Sequence, residues 1–287
     1  MEKTTIHPPL FQEKGKSIFA GIDETNVSRY VILTVRDPLI AKNIDLAEDV
    51  AKRYFEGATL VADTQMFITY TGKYKGVPVT ITSQGSGAPE TEIILAEYLH
   101  FTNADTFIRL GCSGAFIEKV HVGDFVIADA AVRDEATSHA YIKPGYPAVA
   151  NSEVNLALTQ AAENLGYPYH IGITLSTDSI YAGQGRPLLE YFQKENQGIP
   201  EYYTNANVLN FERETSFLLT MCSLFNKRGA AVNAVVNNMV SGEMKPGAGY
   251  RETAHTILEG IKILSEWDKT KEKLNKRYWL PNMQQSQ

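Results

Sequence analysis

The sequence predicts an α/β fold: a single domain with a central, mostly parallel β-sheet flanked by helices. Three observations carry this prediction. Apolar runs without alternation recur along the chain, as strands buried on both faces require. Stretches with apolar residues three and four apart separate them. No repeat or linker divides the 287 residues. Strands that alternate with helices pack as a sheet between helical layers. A chain of this length buries about three quarters of its unfolded surface and needs no covalent staples.

The first strand is read at residues 29–35, where β-branched and aromatic residues run from Tyr30 to Val35. Asp37-Pro38 then opens a helical pattern through Ile40, Ile44, Ala47 and Val50, with the proline in the first turn, where its missing N–H costs nothing. Residues 67–71 and 77–82 flank Tyr74-Lys75-Gly76 as a hairpin. Gly85-Ser86-Gly87-Ala88-Pro89 punctuates the chain before a helix through Ile93, Ile94, Ala96 and Leu99. Residues 106–110 read as a strand running into a tight turn at Gly111-Cys112-Ser113-Gly114, and residues 125–128 with 131–132 as another strand. A helix at 154–165, a strand at 170–175, a helix at 212–225, a strand at 230–236 and a long helix at 251–267 complete the series. Residues 1–17 form an extension with no apolar run for a signal peptide, and 268–287 a polar tail, frayed or packed on a neighbour.

Composition narrows the function classes. The 27 Lys+Arg against 33 Asp+Glu give a formal charge of −6, which argues against nucleic acid held by a net basic field. No stretch approaches the roughly 18 uninterrupted apolar residues of a membrane span. Cys112 and Cys222 are too few for a disulfide framework and fit a reducing cytoplasm, so a cytoplasmic protein is expected. The six histidines show no metal-ligand spacing, and neither metal nor cofactor is expected.

In open α/β sheets ligands bind beyond the carboxyl ends of the strands, and three such segments carry unusual polar residues. Arg109 interrupts an apolar strand; a buried guanidinium needs an acceptor, either a bound anion over the glycine turn or an internal carboxylate. Cys112 beside it is a nucleophile or, more commonly, a small buried thiol. Gly85-Ser86-Gly87 is a weak phosphate-cradle signal, because Glu90 and Glu92 already place carboxylates in the following turn. Residues 178–186 hold Gln184 and Arg186 two apart, an amide and a fork of donors suited to the edge of a nucleobase, or an ordinary surface loop. Glu212 and Glu214 flank Arg213 at a helix start, where one carboxylate can serve a ligand while the other caps.

Together these segments resemble the nucleoside phosphorylase family, most nearly its bacterial uridine phosphorylase branch. The resemblance runs from about Phe19 to Leu264. It rests on Val35-Arg36-Asp37-Pro38, on Ile108 to Ala115, on Val122-Gly123-Asp124, on Tyr146-Pro147-Ala148-Val149-Ala150, on Gly183-Gln184-Gly185-Arg186, on Asn210-Phe211-Glu212-Arg213-Glu214 and on Leu219-Thr220-Met221-Cys222. It implies one α/β domain around a distorted mixed sheet, dimers that usually form hexamers, and transfer of a ribosyl group from a base to inorganic phosphate through an oxocarbenium-like transition state. The implied partners are a small nucleoside and phosphate. By the same resemblance Gln184 and Arg186 hold uracil, Glu214 the ribose hydroxyls with Glu212 lining the pocket, and Arg109 the phosphate.

The departures fall mainly on the anion half. Arg36 stands where the family has glycine, Ile40 where it has arginine, and Cys112, followed by Ser113, where it has threonine. Gln65 and Phe19 replace an arginine and a histidine that a neighbouring subunit supplies. Arg213 replaces methionine, Ile180 an aromatic residue and Asn238 an arginine. Arg36, Arg109 and Cys112 are therefore the phosphate candidates, and Ile180, Asn238, Arg213, Ser113 and Phe19 further lining candidates. Three functions follow as alternatives: phosphorolysis with a rebuilt anion site, hydrolysis in which Glu212 or Glu214 orients water, and nucleoside binding without turnover.

Overall fold

The computed structural model describes residues 11–13, 16–191, 193–280 and 282–283. Most of the amino-terminal extension lies outside them, although β1 (Gln12–Glu13) pairs with β2 (Lys16–Ser17). The remaining strands are β3 (Tyr30–Val35), β4 (Glu56–Asp63), β5 (Ile68–Tyr74), β6 (Val77–Gln84), β7 (Thr106–Ala115), β8 (Phe125–Asp134), β9 (Ala148–Val149), β10 (Tyr169–Thr177), β11 (Val208–Glu212) and β12 (Arg228–Asn238). The helices are α1 (Leu46–Tyr54), α2 (Ala88–Phe101), α3 (Ser152–Leu165), α4 (Ile199–Asn205), α5 (Thr215–Leu224) and α6 (Tyr250–Leu274).

The strands form one sheet in the order β11-β10-β8-β12-β7-β3-β6-β5-β4, with β9 beside β8. It is mixed rather than mostly parallel: β8–β12, β4–β5, β5–β6 and β7–β11 are antiparallel. The last pairing joins Asn210 to Ala115 and Phe211 to Gly114, so β7, β12, β8, β10 and β11 close into a ring. Consecutive residues of β3 serve opposite layers. Tyr30 and Ile32 pack with Leu46 of α1, Leu158 of α3 and Ile261 of α6, whereas Val31 and Leu33 pack with Tyr98 of α2 and Phe217 of α5. That two-sided burial is the reason for the unbroken apolar run. Among the described residues no helix is long and apolar enough to cross a membrane.

Several boundaries differ from the sequence reading. The helix expected from Asp37 starts at Leu46, where Asp45 caps it by accepting from the Ala47 and Glu48 amides at 2.9 and 3.2 Å. Asp37 instead accepts from the Leu39 amide at 2.8 Å and closes a turn. The expected glycine turn at 111–114 is continuous strand: these glycines make room for side chains rather than bend the chain. A Cβ on Gly114 would stand 2.2 Å from the Phe211 ring. β4 and β11 were not expected, and the helix expected from residue 212 begins at Thr215, because Glu212 ends β11.

Part of the carboxyl-terminal segment packs on this chain's own domain. α6 runs to Leu274, and Trp279 stacks on Trp267 with ring centroids 4.9 Å apart. Asp268 is buried, accepting from Arg228 at 2.8 and 2.9 Å and from the Tyr30 hydroxyl at 2.8 Å. Burial opposes its ionisation, but Arg228 prevails and holds the Asp268 carboxyl below the usual range. Its contribution to stability is therefore present above the unfolded-state value and lost as pH falls through the folded one. Asp268→Asn is expected to destabilise the protein by about 2–4 kcal/mol at pH 7, with the deficit shrinking below about pH 4. Urea unfolding across that range checks it; a deficit independent of pH would exclude the ionic origin.

Candidate active site

The ends of β3, β7, β11 and β12 and the loops after β6 and β10 surround a cavity of about 440 Å³. It follows that charged residues near strand ends, isolated in sequence, meet here.

Arg109 reaches this cavity along its own strand. Arg109 and Gly111 share a face of β7 two residues apart, and the guanidinium lies over Gly111, where a Cβ would be 1.4 Å from Nη1. Its Nη1 donates to Asn233 Oδ1 at 3.2 Å, Nη2 pairs with Glu214, and Nε lies 3.2 Å from Glu212. Of the two acceptors open to Arg109, internal carboxylates are thus in place. Burial works against its charge, but Glu214 and Glu212 outweigh this and hold its pKa above the ordinary value.

The two glutamates do different work. Glu212, at the end of β11, accepts from the amides of Glu214 at 2.8 Å and Thr215 at 2.9 Å, and from the Ser176 hydroxyl. It places negative charge at the amino end of α5, where the exposed N–H groups favour it. Burial and the neighbouring Glu214 raise its pKa despite Arg109. Glu214 lines the cavity beside Glu212 but is held by the loop after β6. Its Oε1 accepts from the Gly87 amide at 2.5 Å and the Ser86 hydroxyl at 3.2 Å. Burial is again the largest opposing influence, but Arg109, the Gly87 amide and Arg213 keep the Glu214 carboxyl below its usual range. The glycine loop at 85–87 does cradle an anion, and that anion is Glu214.

The loop after β10 brings Gln184 and Arg186 to the same cavity. Arg186 donates to Gln184 Oε1 and to the Ile180 carbonyl at 3.0 Å, and its guanidinium lies 5.2 Å from the centre of the Phe211 ring. Burial lowers its pKa. Ile180 and Tyr181 lie near them on the wall, both with exposed surface. Arg213 donates to the Asp178 carbonyl at 2.9 Å and to Ser86 Oγ at 3.2 Å, linking the loops after β6 and β10.

The anion half is poorer in positive charge. Cys112 and Ser113 line it, but the Cys112 thiol lies 3.5 Å from Asp37, and burial together with that carboxylate pushes its pKa well above the ordinary value. A thiolate nucleophile is disfavoured there. Ser113 donates to the Ala234 carbonyl at 3.3 Å. Arg36 and Phe19 do not line the cavity. Arg36 donates to the Gln65 carbonyl at 3.1 Å on the surface, and Phe19 packs edge-on to Phe11. Asn238 lines the wall, but its amide is committed to backbone: it donates to the Ile117 and Val120 carbonyls and accepts from the Val240 and Ser241 amides. Sequence reasoning missed Tyr181, Met239, Glu243 and Met244 in the wall. Their only signal was a place just beyond a strand end. Among the described residues, no cluster of three His, Cys, Asp or Glu side chains is placed to hold a metal.

The family model of the phosphorylase superfamily matches residues 37–259, which include most of the cavity wall. The chain belongs to this superfamily. This phosphorylase superfamily member is 44% identical over 272 residues to a uridine phosphorylase of Thermococcus kodakarensis, covering 94% of this chain and 95% of that one. It is 34% identical over 236 residues to a uridine phosphorylase of Haemophilus influenzae, covering 82% and 93%. A guanosine phosphorylase of Halorubrum lacusprofundi is 28% identical over 224 residues, covering 78% and 84%.

Proposed function

We propose that the protein is a uridine-phosphorylase-like pentosyltransferase that cleaves the N-glycosidic bond of a pyrimidine nucleoside and transfers the ribosyl group to inorganic phosphate. The observation that carries this reading is the convergence of Gln184 and Arg186 with the Glu214–Arg109 pair in one cavity. As the bond from C1′ to the base breaks, its electron pair passes to the base while a phosphate oxygen bonds to C1′. Gln184 and Arg186 offset charge gathering on the base, Glu214 accepts from the sugar, and Arg109 supplies the cation for the entering anion. Relatives that are uridine phosphorylases over nearly the whole chain support the assignment.

Since Arg36 points away, Arg109 is the one cation among the phosphate candidates that lines the cavity, and two carboxylates already share it. Each missing charged hydrogen bond is worth about 1.5–3 kcal/mol, so saturation is expected only at high phosphate concentration. The test is release of uracil and ribose 1-phosphate from uridine as phosphate is varied. Uracil release independent of phosphate, with free ribose as the other product, would replace phosphorolysis by hydrolysis. Gln184→Leu is expected to lower kcat/KM for uridine by about 10- to 100-fold, since it leaves a base-edge group unpaired. Unchanged kinetics would remove the loop from base recognition.

The reading extends to a cytoplasmic homo-oligomer, a dimer or a hexamer. Gln65 and Phe19, at positions the family resemblance gives to a neighbouring site, lie away from this chain's own cavity wall, which supports it. Light scattering of the purified chain tests it.

A further inference from the structure

We infer that Asn233 is a positioning residue for the anion: its side-chain carbonyl fixes the plane of the Arg109 guanidinium and so keeps two N–H groups available to phosphate. This rests on Arg109 meeting phosphate, as proposed above.

Asn233 is the one polar residue in the run from Ala230 to Val236, and it is fully buried. A buried amide is costly unless it is bonded, so its place in the middle of β12 calls for partners. Both ends have one. Nδ2 donates to Thr215 Oγ1 at 3.4 Å in the first turn of α5, and Oδ1 accepts from Arg109 Nη1 at 3.2 Å. A guanidinium has no acceptor, so the atom turned to it is the oxygen. They can meet because Asn233 stands opposite Gly111 across the β7–β12 pair, where a Cβ would be 2.4 Å from Oδ1. Asn233 itself is not part of the cavity wall, so it acts through Arg109. A guanidinium offers five N–H groups in one plane. Glu212 lies 3.2 Å from Nε, and Glu214 takes one N–H of Nη2. Asn233 adds a third contact, on Nη1, and keeps the plane from tilting towards the carboxylates. One N–H on each Nη then remains, a pair that a tetrahedral oxyanion can take bidentately. Charge matters as much as place. Arg109 already answers to two carboxylates, and a third ionised acceptor would cancel the attraction left for an anion. The neutral amide holds the guanidinium without doing so.

The experiment measures KM for phosphate and KM for uridine in the wild type, Asn233→Leu and Asn233→Asp, with denaturant unfolding of each protein. Leucine keeps the approximate volume and removes both hydrogen bonds. Its KM for phosphate is expected to rise by about 10- to 100-fold while its KM for uridine stays within about threefold. Aspartate keeps the acceptor and adds a charge, so its KM for phosphate is expected to climb more steeply than the wild type's between about pH 6 and about pH 8. A merely structural role would move both KM values together or lower kcat alone. Either of those results, or a phosphate KM within about threefold of wild type in both variants, would overturn the inference. Where one variant does not fold, the other decides; failure of both to fold assigns Asn233 to the fold and overturns it as well. If uridine cleavage by the wild type is independent of phosphate, the phosphorolysis reading falls, and calorimetric binding of phosphate makes the same comparison. A wild type that neither uses nor binds phosphate overturns both.

Discussion

Replacing Glu214 by glutamine is expected to lower kcat/KM for uridine by on the order of 10³-fold while the unfolding free energy falls by no more than about 3 kcal/mol. Charge counting separates the two effects. Arg109, Glu212 and Glu214 are all buried and carry a net charge of one negative when ionised. Removing the charge of Glu214 leaves a neutral Arg109–Glu212 pair, so no buried ion is stranded. Glutamine keeps one oxygen, enough for the Gly87 amide but not for Arg109 as well, so part of the buried hydrogen bonding is lost with the charge. Also lost is the ionised acceptor that the proposed function sets at the sugar, which a neutral amide replaces only weakly in a site withdrawn from water. Steady-state kinetics together with denaturant unfolding of the same variant check both halves. A stability loss above about 3 kcal/mol would assign Glu214 to the fold rather than to substrate.

The opposite balance is expected of Gly111→Ala. The new methyl group would stand 1.4 Å from Arg109 Nη1 and 2.4 Å from Asn233 Oδ1, so the guanidinium must leave its seat. Two buried carboxylates then face each other without their cation. We expect a stability loss of about 3–5 kcal/mol and a fall in kcat/KM of at least about 100-fold. The sign of the pH dependence follows. Without Arg109 in place, both carboxyls have folded-state pKa values above their unfolded ones, so stability is retained at low pH and lost as pH rises through the folded values. The deficit should thus be larger at pH 8 than at pH 5. If Gly111 acts only by seating Arg109, Arg109→Met/Gly111→Ala will be no worse than Arg109→Met alone. Additive losses would give Gly111 a separate role.

Much of the architecture was legible because burial on both faces leaves a mark in composition. β3 reads as a strand because Tyr30 and Val31 face different helical layers, so apolar residues fall on both of its faces. β7 was misread past Leu110, since glycine signals a turn locally but here clears space for Arg109 and Phe211, whose approach depends on distant parts of the chain. β4 escaped notice because it is largely exposed and lacks an apolar face to betray it. In the site, Arg109 stood out inside an apolar strand, Gln184 and Arg186 in a loop and Glu212 and Glu214 at a helix start, and all five line one cavity. The direction of a side chain was not legible. Arg36 has the right position in sequence and turns to the Gln65 carbonyl; Asn238 has the right position and spends its amide on the backbone around residues 117–120.

The ring of five strands has a kinetic meaning. β11 carries Glu212 and leads directly into Glu214, and it is held between β10 and β7, whose pairings with it span long stretches of sequence. Such closure comes late, because the loop entropy must be met before the distant contacts reward it. The glutamates come under Arg109 only when that seam has formed. In refolding, recovery of turnover should therefore lag behind recovery of helix, and enzymatic activity becomes a reporter of long-range strand pairing rather than of the first collapse.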